Sequence, residues 1–131
     1  MKEGVDLDNN SKVLIYGFSK EEIEKIKDLF DKNKMPVLLI SNENMANMKI
    51  CDILKGFEIP TYDVRLPDEK LVLFNNVADK KIDKGIQIIK NISNKKPIFA
   101  QVTPVSQNWS LKYLIEHMIE ERQWYINKGY K

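Results

Sequence analysis

Four short apolar runs limit what this chain can fold into. They are Val13-Leu-Ile-Tyr16, Val37-Leu-Leu-Ile40, Leu71-Val-Leu-Phe74 and Ile98-Phe-Ala-Gln-Val102, and a polar or amphipathic stretch follows each. Continuous apolar runs this short suit strands buried on both faces better than helices. The order strand, helix, repeated four times, predicts an α/β fold: a four-stranded, mostly parallel sheet with helices packed on it.

The helix starts are written in local chemistry. Gly17 ends the first run, and Ser19 and Glu22 follow with the spacing of a capping box. Phe18 and Ile23 occupy the two positions of a hydrophobic staple, and Ile23, Ile26, Leu29 and Phe30 form one apolar stripe. That helix stops near Lys32-Asn33, and Pro36 opens the second strand. Ser41-Asn-Glu-Asn44 reads as a polar turn, and Met45 to Lys55 as a helix crossing from the second strand to the third, with Gly56 as its stop. Glu58 to Glu69 carries Pro60 and Pro67 and reads as loop. Asp79 to Ile92 predicts a helix with Ile82, Ile86, Ile89 and Ile92 inward, where Gly85 costs about 1 kcal/mol relative to Ala. Ser110 caps a last helix reaching about Asn127.

The two halves resemble each other. Val13-Leu-Ile-Tyr-Gly-Phe18 aligns with Val72-Leu-Phe-Asn-Asn-Val77, Ile23 with Ile82, and Pro36 with Pro97. This predicts a duplicated strand–helix–strand unit, residues 12–40 and 71–102, inside a single α/β domain over residues 12–131, completed by the C-terminal helix. The polar, acidic residues 1–11 read as a flexible tail. A ferredoxin-like α/β sandwich is the alternative topology. The choice matters for function. In a parallel sheet, Gly17–Ser19, Ser41–Asn44, Asn75–Ala78 and Thr103–Ser110 converge at one edge, where ligands of open α/β sheets bind. In the ferredoxin-like alternative, the first and third of these lie opposite the second and fourth.

Composition narrows the function classes. Lys and Arg number 21 against 19 Asp and Glu, and a net charge of +2 argues against nucleic acid. No apolar run has the length of a membrane span. Cys51 is the single cysteine, so no internal disulfide can form and a cytoplasmic location is expected. The abundance of Lys, Asn and Ile fits a bacterium with an AT-rich genome.

Thr103-Pro-Val-Ser-Gln-Asn-Trp-Ser110-Leu111, followed by Leu114-Ile-Glu-His-Met-Ile-Glu-Glu121, resembles a bacterial and archaeal family named domain of unknown function 3783. Its members show a Thr-Pro-Thr-Asn turn, then Asn-Trp and Thr or Ser, then a Leu- and Glu-rich helix. The resemblance is clearest from about Leu71 to Glu121, and Val105 and Ser106 stand where the family pattern has Thr and Asn. The family carries no known activity, so the resemblance implies none here.

Two places stand out as candidate sites. Thr103, Ser106 and Asn108, joined by Asn75 and Asn76 if the strand ends converge, make a candidate polar ligand site, and the same turn residues also suffice as turn and cap chemistry. Tyr113, His117 and Trp124 share one side of the last helix and make a candidate interaction surface, for a protein partner or a homo-oligomer. His117 is the only histidine, with no nucleophile or second metal ligand at functional spacing, so no metal or other cofactor is expected. Gly17 alone follows the first strand, so a glycine-rich phosphate loop is absent. The expectation is a cytosolic, non-enzymatic domain that binds a small molecule or a protein. The alternative is a small-molecule enzyme with its site at the strand ends around Thr103–Ser110.

Overall fold

The computed structural model describes residues 10–62 and 64–127. Most of the expected tail, together with Asp63 and Tyr130, lies outside the described residues. The chain divides into two compact units. One holds the residues up to Ser41 and Glu69–Thr103; the other holds Asn42–Asp68 and the residues from Pro104 onward.

The first unit is the sheet and two helices. Its strands are β1 (Lys12–Tyr16), β2 (Val37–Ser41), β3 (Leu71–Asn75) and β4 (Ile98–Gln101), and its helices are α1 (Lys20–Lys32) and α3 (Asp79–Ile92). The strand order is β2-β1-β3-β4. β1 runs parallel to β2 and β3 parallel to β4, while β1 and β3 pair antiparallel in the centre. The sheet is therefore mixed: two parallel strand–helix–strand pairs joined by one antiparallel seam. Each helix connects two adjacent strands, so the ferredoxin-like arrangement, with a strand of the other unit between them, is not adopted.

Both helices lie on one face. Ile26 and Phe30 of α1 and Ile88 and Ile89 of α3 pack with Val13, Ile15, Val72 and Phe74 in one core. Leu14, Leu71 and Leu73, which point to the other face, are buried as well. The start of α1 follows the sequence expectation. Glu22 N donates to Ser19 Oγ at 3.2 Å, Ser19 N donates to Glu22 Oε1 at 2.9 Å, and Phe18 and Ile23 both pack on the core. Gly17 sits at φ +90°, and a Cβ there would meet Glu69 O at 2.2 Å, so only glycine fits.

The second unit is built on α4 (Leu111–Asn127) and the short α2 (Ile50–Leu54), with 3-10 turns at Glu43–Met45 and Ser106–Asn108. Its buried apolar residues include Ala46, Met48, Ile50, Ile53, Leu111, Leu114 and Ile115. The helix expected from Met45 to Lys55 is cut to Ile50–Leu54 for a hydrogen-bonding reason. Leu111 N donates to Met48 O, Lys112 N to Ala46 O, and Ile50 N to Trp109 O, with Lys49 bridged to Ser110. Residues 46–49 thus form a turn that ends in the bridge at Lys49, and they supply acceptors to the first turn of α4. No long helix crosses from β2 to β3, and β3 runs antiparallel to β1.

Candidate functional site

Strand direction decides which loops meet. Because β1 and β2 are parallel, Gly17 and Ser41 lie at one edge of the sheet. β3 and β4 run the other way, and Asn75 and Thr103 follow their ends at the opposite edge. The convergence of all four loops expected for a fully parallel sheet therefore does not occur. The seam separates them two and two.

At the β3–β4 edge, Asn75 Nδ2 donates to Asn10 O at 2.7 Å, and Asn76, at φ 54°, accepts from Ser11 Oγ at 2.6 Å through its carbonyl. Both asparagines hold the chain leading into β1. Thr103 is exposed at this edge. Ser106 and Asn108 belong to the second unit: Ser106 is buried in the 3-10 turn, and exposed Asn108 reaches Pro104 O through Nδ2 at 3.4 Å.

The amides of the first turn of α4 are taken by acceptors within the chain. Leu111 N and Lys112 N are bound to Met48 O and Ala46 O, Tyr113 N to Ser110 Oγ at 3.0 Å, and Leu114 N to Ser110 O. Ser110 is thus the expected N-cap. Three of the amides that a helix start leaves open, those of Leu111, Lys112 and Tyr113, are therefore satisfied inside the chain.

The same helix start carries an aromatic cluster. Trp109 meets the rings of Tyr113 and His117 edge-on, each with centroids 4.9 Å apart, and Tyr113 and His117 lie nearly parallel at 6.1 Å. The i, i+4 spacing of a helix makes this stack, and Trp109 joins it from the cap-side residue. His117 Nε2 stands 3.7 Å from Glu121 Oε2. Tyr113 is 51% exposed and Trp124 52%. Phe57, Ile59, Tyr62 and Val105 of the same unit are exposed too.

One concavity of the second unit was not legible beforehand. Asn42, Asn44, Met45, Met48, Glu58 and Ile59 line a pocket of about 150 Å³. Its polar wall is the turn cluster after the second strand, whose Asn42 Oδ1 accepts from Asn44 N at 2.9 Å. Its apolar wall combines Met45 and Met48 with Ile59 and Pro60 of a loop that has no periodicity to read.

Catalytic chemistry needs an acid, base or nucleophile held against a reacting atom. Here His117 has a carboxylate neighbour and two aromatic ones. Cys51, half-buried, has its Sγ 3.9 Å from Asp52 Oδ1. Among the described residues no three His, Cys, Asp or Glu side chains group to hold a metal ion. Glu22 has a carboxyl held below its ordinary range, and it sits in an ion pair of the first unit: burial pushes it up, but hydrogen bonds from Lys70, Ser19 and Asn94 and the Lys70 charge outweigh that. Among the described residues no helix is long and apolar enough to cross a membrane.

No curated protein and no solved structure matches the chain. Residues 70–125 match the model of a family described as a domain of unknown function (DUF3783), a stretch that takes in β3, α3, β4 and most of α4. Over this stretch the chain is similar to that family.

Proposed function

We propose that this is a cytosolic, non-enzymatic protein-interaction domain that contacts its partner through the aromatic face of α4. The observation that carries the reading is the Trp109–Tyr113–His117 cluster, ordered by ring contacts and half open to solvent at Tyr113. Pre-ordered Trp and Tyr side chains lose little entropy on binding and supply large contact area, which is why they dominate interface energetics. The exposed Trp124 extends the same helix face.

Thr103, Ser106, Asn108, Asn75 and Asn76 remain the candidate small-molecule site, with less behind it: the hydrogen bonds of Asn75 and Asn76 hold the chain leading into β1, and that of Asn108 holds its own turn. The small-molecule enzyme has the same weakness. Descent of the two strand–helix–strand units from one duplicated unit, in a bacterial protein, belongs to the same proposal.

Affinity capture from a bacterial lysate, compared between wild type and Tyr113→Asp, tests the reading. A partner retained by wild type and lost by a folded Tyr113→Asp is expected. The same proteins retained by both would place the contact elsewhere, and a strong thermal shift with a metabolite, lost in Asn108→Ala, would move the function to the turn.

A further inference from the structure

We infer that the chain forms a homodimer in which β2 of one copy pairs antiparallel with β2 of a second, joining two sheets about a two-fold axis. The surface differs from the α4 face above, and neither reading depends on the other.

The open edge is the first observation. β2 is the last strand of the sheet, and among the described residues no backbone group of Val37–Ile40 bonds outside the β1 ladder. Val37 is 57% exposed and Ile40 37%. These two side chains point to opposite faces, since Ile40 pairs with core residue Ile15 and Val37 lies an odd number of residues away. Apolar exposure on both faces of one strand means that the missing neighbour lies in the plane of the sheet. A layer stacked on one face would cover only one of them. The run Val37-Leu-Leu-Ile40 also lacks the inward charge, proline or bulge with which edge strands are commonly blunted.

The flanking helix identifies the occupant. Lys27 and Asp31 of α1 line a groove of about 380 Å³ with Met35, Pro36 and Val37, so this flank of α1 looks toward the β2 edge. Glu22, on the other flank, reaches Lys70 and Asn94. Helical spacing adds Lys20 and Glu24 to the stripe, and all four of its charges are exposed. Among the described residues none of the four takes part in an ion pair within the chain.

Read along the helix, the stripe is Lys20, Glu24, Lys27, Asp31. A two-fold axis between residues 25 and 26 sets Lys20 against Asp31 of the second copy and Glu24 against Lys27 of the second copy, so every pair has opposite signs. A parallel alignment would set like against like. For β2 to pair with its own copy, the same axis must pass near the middle of Val37–Ser41. The spacing agrees: with strands about 4.8 Å apart and each helix above the midline of its own strand pair, the two α1 axes stand about 10 Å apart, at ordinary helix-packing distance. Self-complementarity of one patch is what a two-fold interface requires.

Sedimentation equilibrium of the full chain tests the proposal. The wild type is expected at twice its 15.4 kDa mass at concentrations of about 100 µM, well above a micromolar dissociation constant. Ile40→Lys is expected to be monomeric with an intact thermal melt. Should that variant not fold, two surface variants decide. Lys20→Glu with Lys27→Glu makes the stripe all acidic, and Glu24→Lys with Asp31→Lys makes it all basic. Each is expected to be monomeric alone and to form a heterodimer when mixed. A monomeric wild type overturns the proposal, and so does a dimer whose mass neither stripe variant changes.

Discussion

Lys70 and Glu22 are the place where one substitution should cost the fold most. Lys70 Nζ lies 2.6 Å from Glu22 Oε2, with side chains only 9% and 12% exposed. The ammonium also donates to Ser93 Oγ at 3.0 Å and Asn94 Oδ1 at 2.8 Å, and stands 5.2 Å from the Phe18 ring centroid. Glu22 Oε1 meanwhile closes the capping box with Ser19 N. One carboxylate therefore ties together the start of α1, the start of β3 and the end of α3. In Glu22→Gln, a single carbonyl oxygen must serve either Ser19 N or Lys70, and the amide NH₂ then faces a donor. Breaking a buried pair from one side costs about 3–5 kcal/mol, and the residual exposure here puts the expectation near 3. For a domain of this size that is a fall in Tm of about 10 °C. The gap has a predicted pH dependence. The folded-state pKa of Glu22 is lowered from 4.5, so its contribution is fully present above that value and is lost as pH falls through the lowered one. Thermal melts of Glu22→Gln, Lys70→Met and the double variant, at neutral and acid pH, measure it. The double variant should lose less than the sum of the two single ones. A Gln variant melting within about 2 °C of wild type at neutral pH, or a gap that does not narrow in acid, refutes the reasoning.

Three further outcomes can be read from the same melts. Gly17→Ala places a Cβ 2.2 Å from Glu69 O in a left-handed conformation, and a loss of about 2 kcal/mol or more is expected; a neutral result would mean that the β1 end moves freely. Ser110→Ala removes the acceptor of Tyr113 N and should cost about 1 kcal/mol, with an unchanged melt counting against the cap. Gly85→Ala should not return the roughly 1 kcal/mol of helix propensity, because the new Cβ meets Phe74 at 3.0 Å and Met35 at 3.1 Å; a variant stabilised by the full amount would show that this contact yields.

What the sequence made legible is what short-range chemistry controls. The Ser19–Glu22 box and the Ser110 cap are decided within four residues, and both are found with the expected partners. Continuous apolar runs located all four strands. Gly85 could be seen to weaken α3, but its reason, the Phe74 ring beneath it, lies on another element. The antiparallel seam between β1 and β3 was beyond reach, because strand direction depends on how residues 42–70 are spent. Met45 to Lys55 has the apolar spacing of a helix. Its first turns are instead used as hydrogen-bond acceptors for Leu111 and Lys112, more than fifty residues away. The aromatic face was legible as Tyr113, His117 and Trp124; that Trp109 joins its rings was not, since Trp109 precedes the helix and lies outside its periodicity.

The match over residues 70–125 and the topology together say something about where that domain begins. Its first strand, β3, is central here: Leu71, Val72, Leu73 and Phe74 are all buried, and β1 pairs along the whole of β3. With β1 removed, β3 becomes an edge strand of four large apolar residues in a row. A two-stranded sheet of that kind is marginal in water. In this chain the matched segment is therefore one half of a sheet whose other half is β1, α1 and β2. Activity or binding ascribed to residues 70–125 has to be sought with those elements attached, because they supply the strand that keeps β3, and the loop after it at Asn75–Asn76, in place.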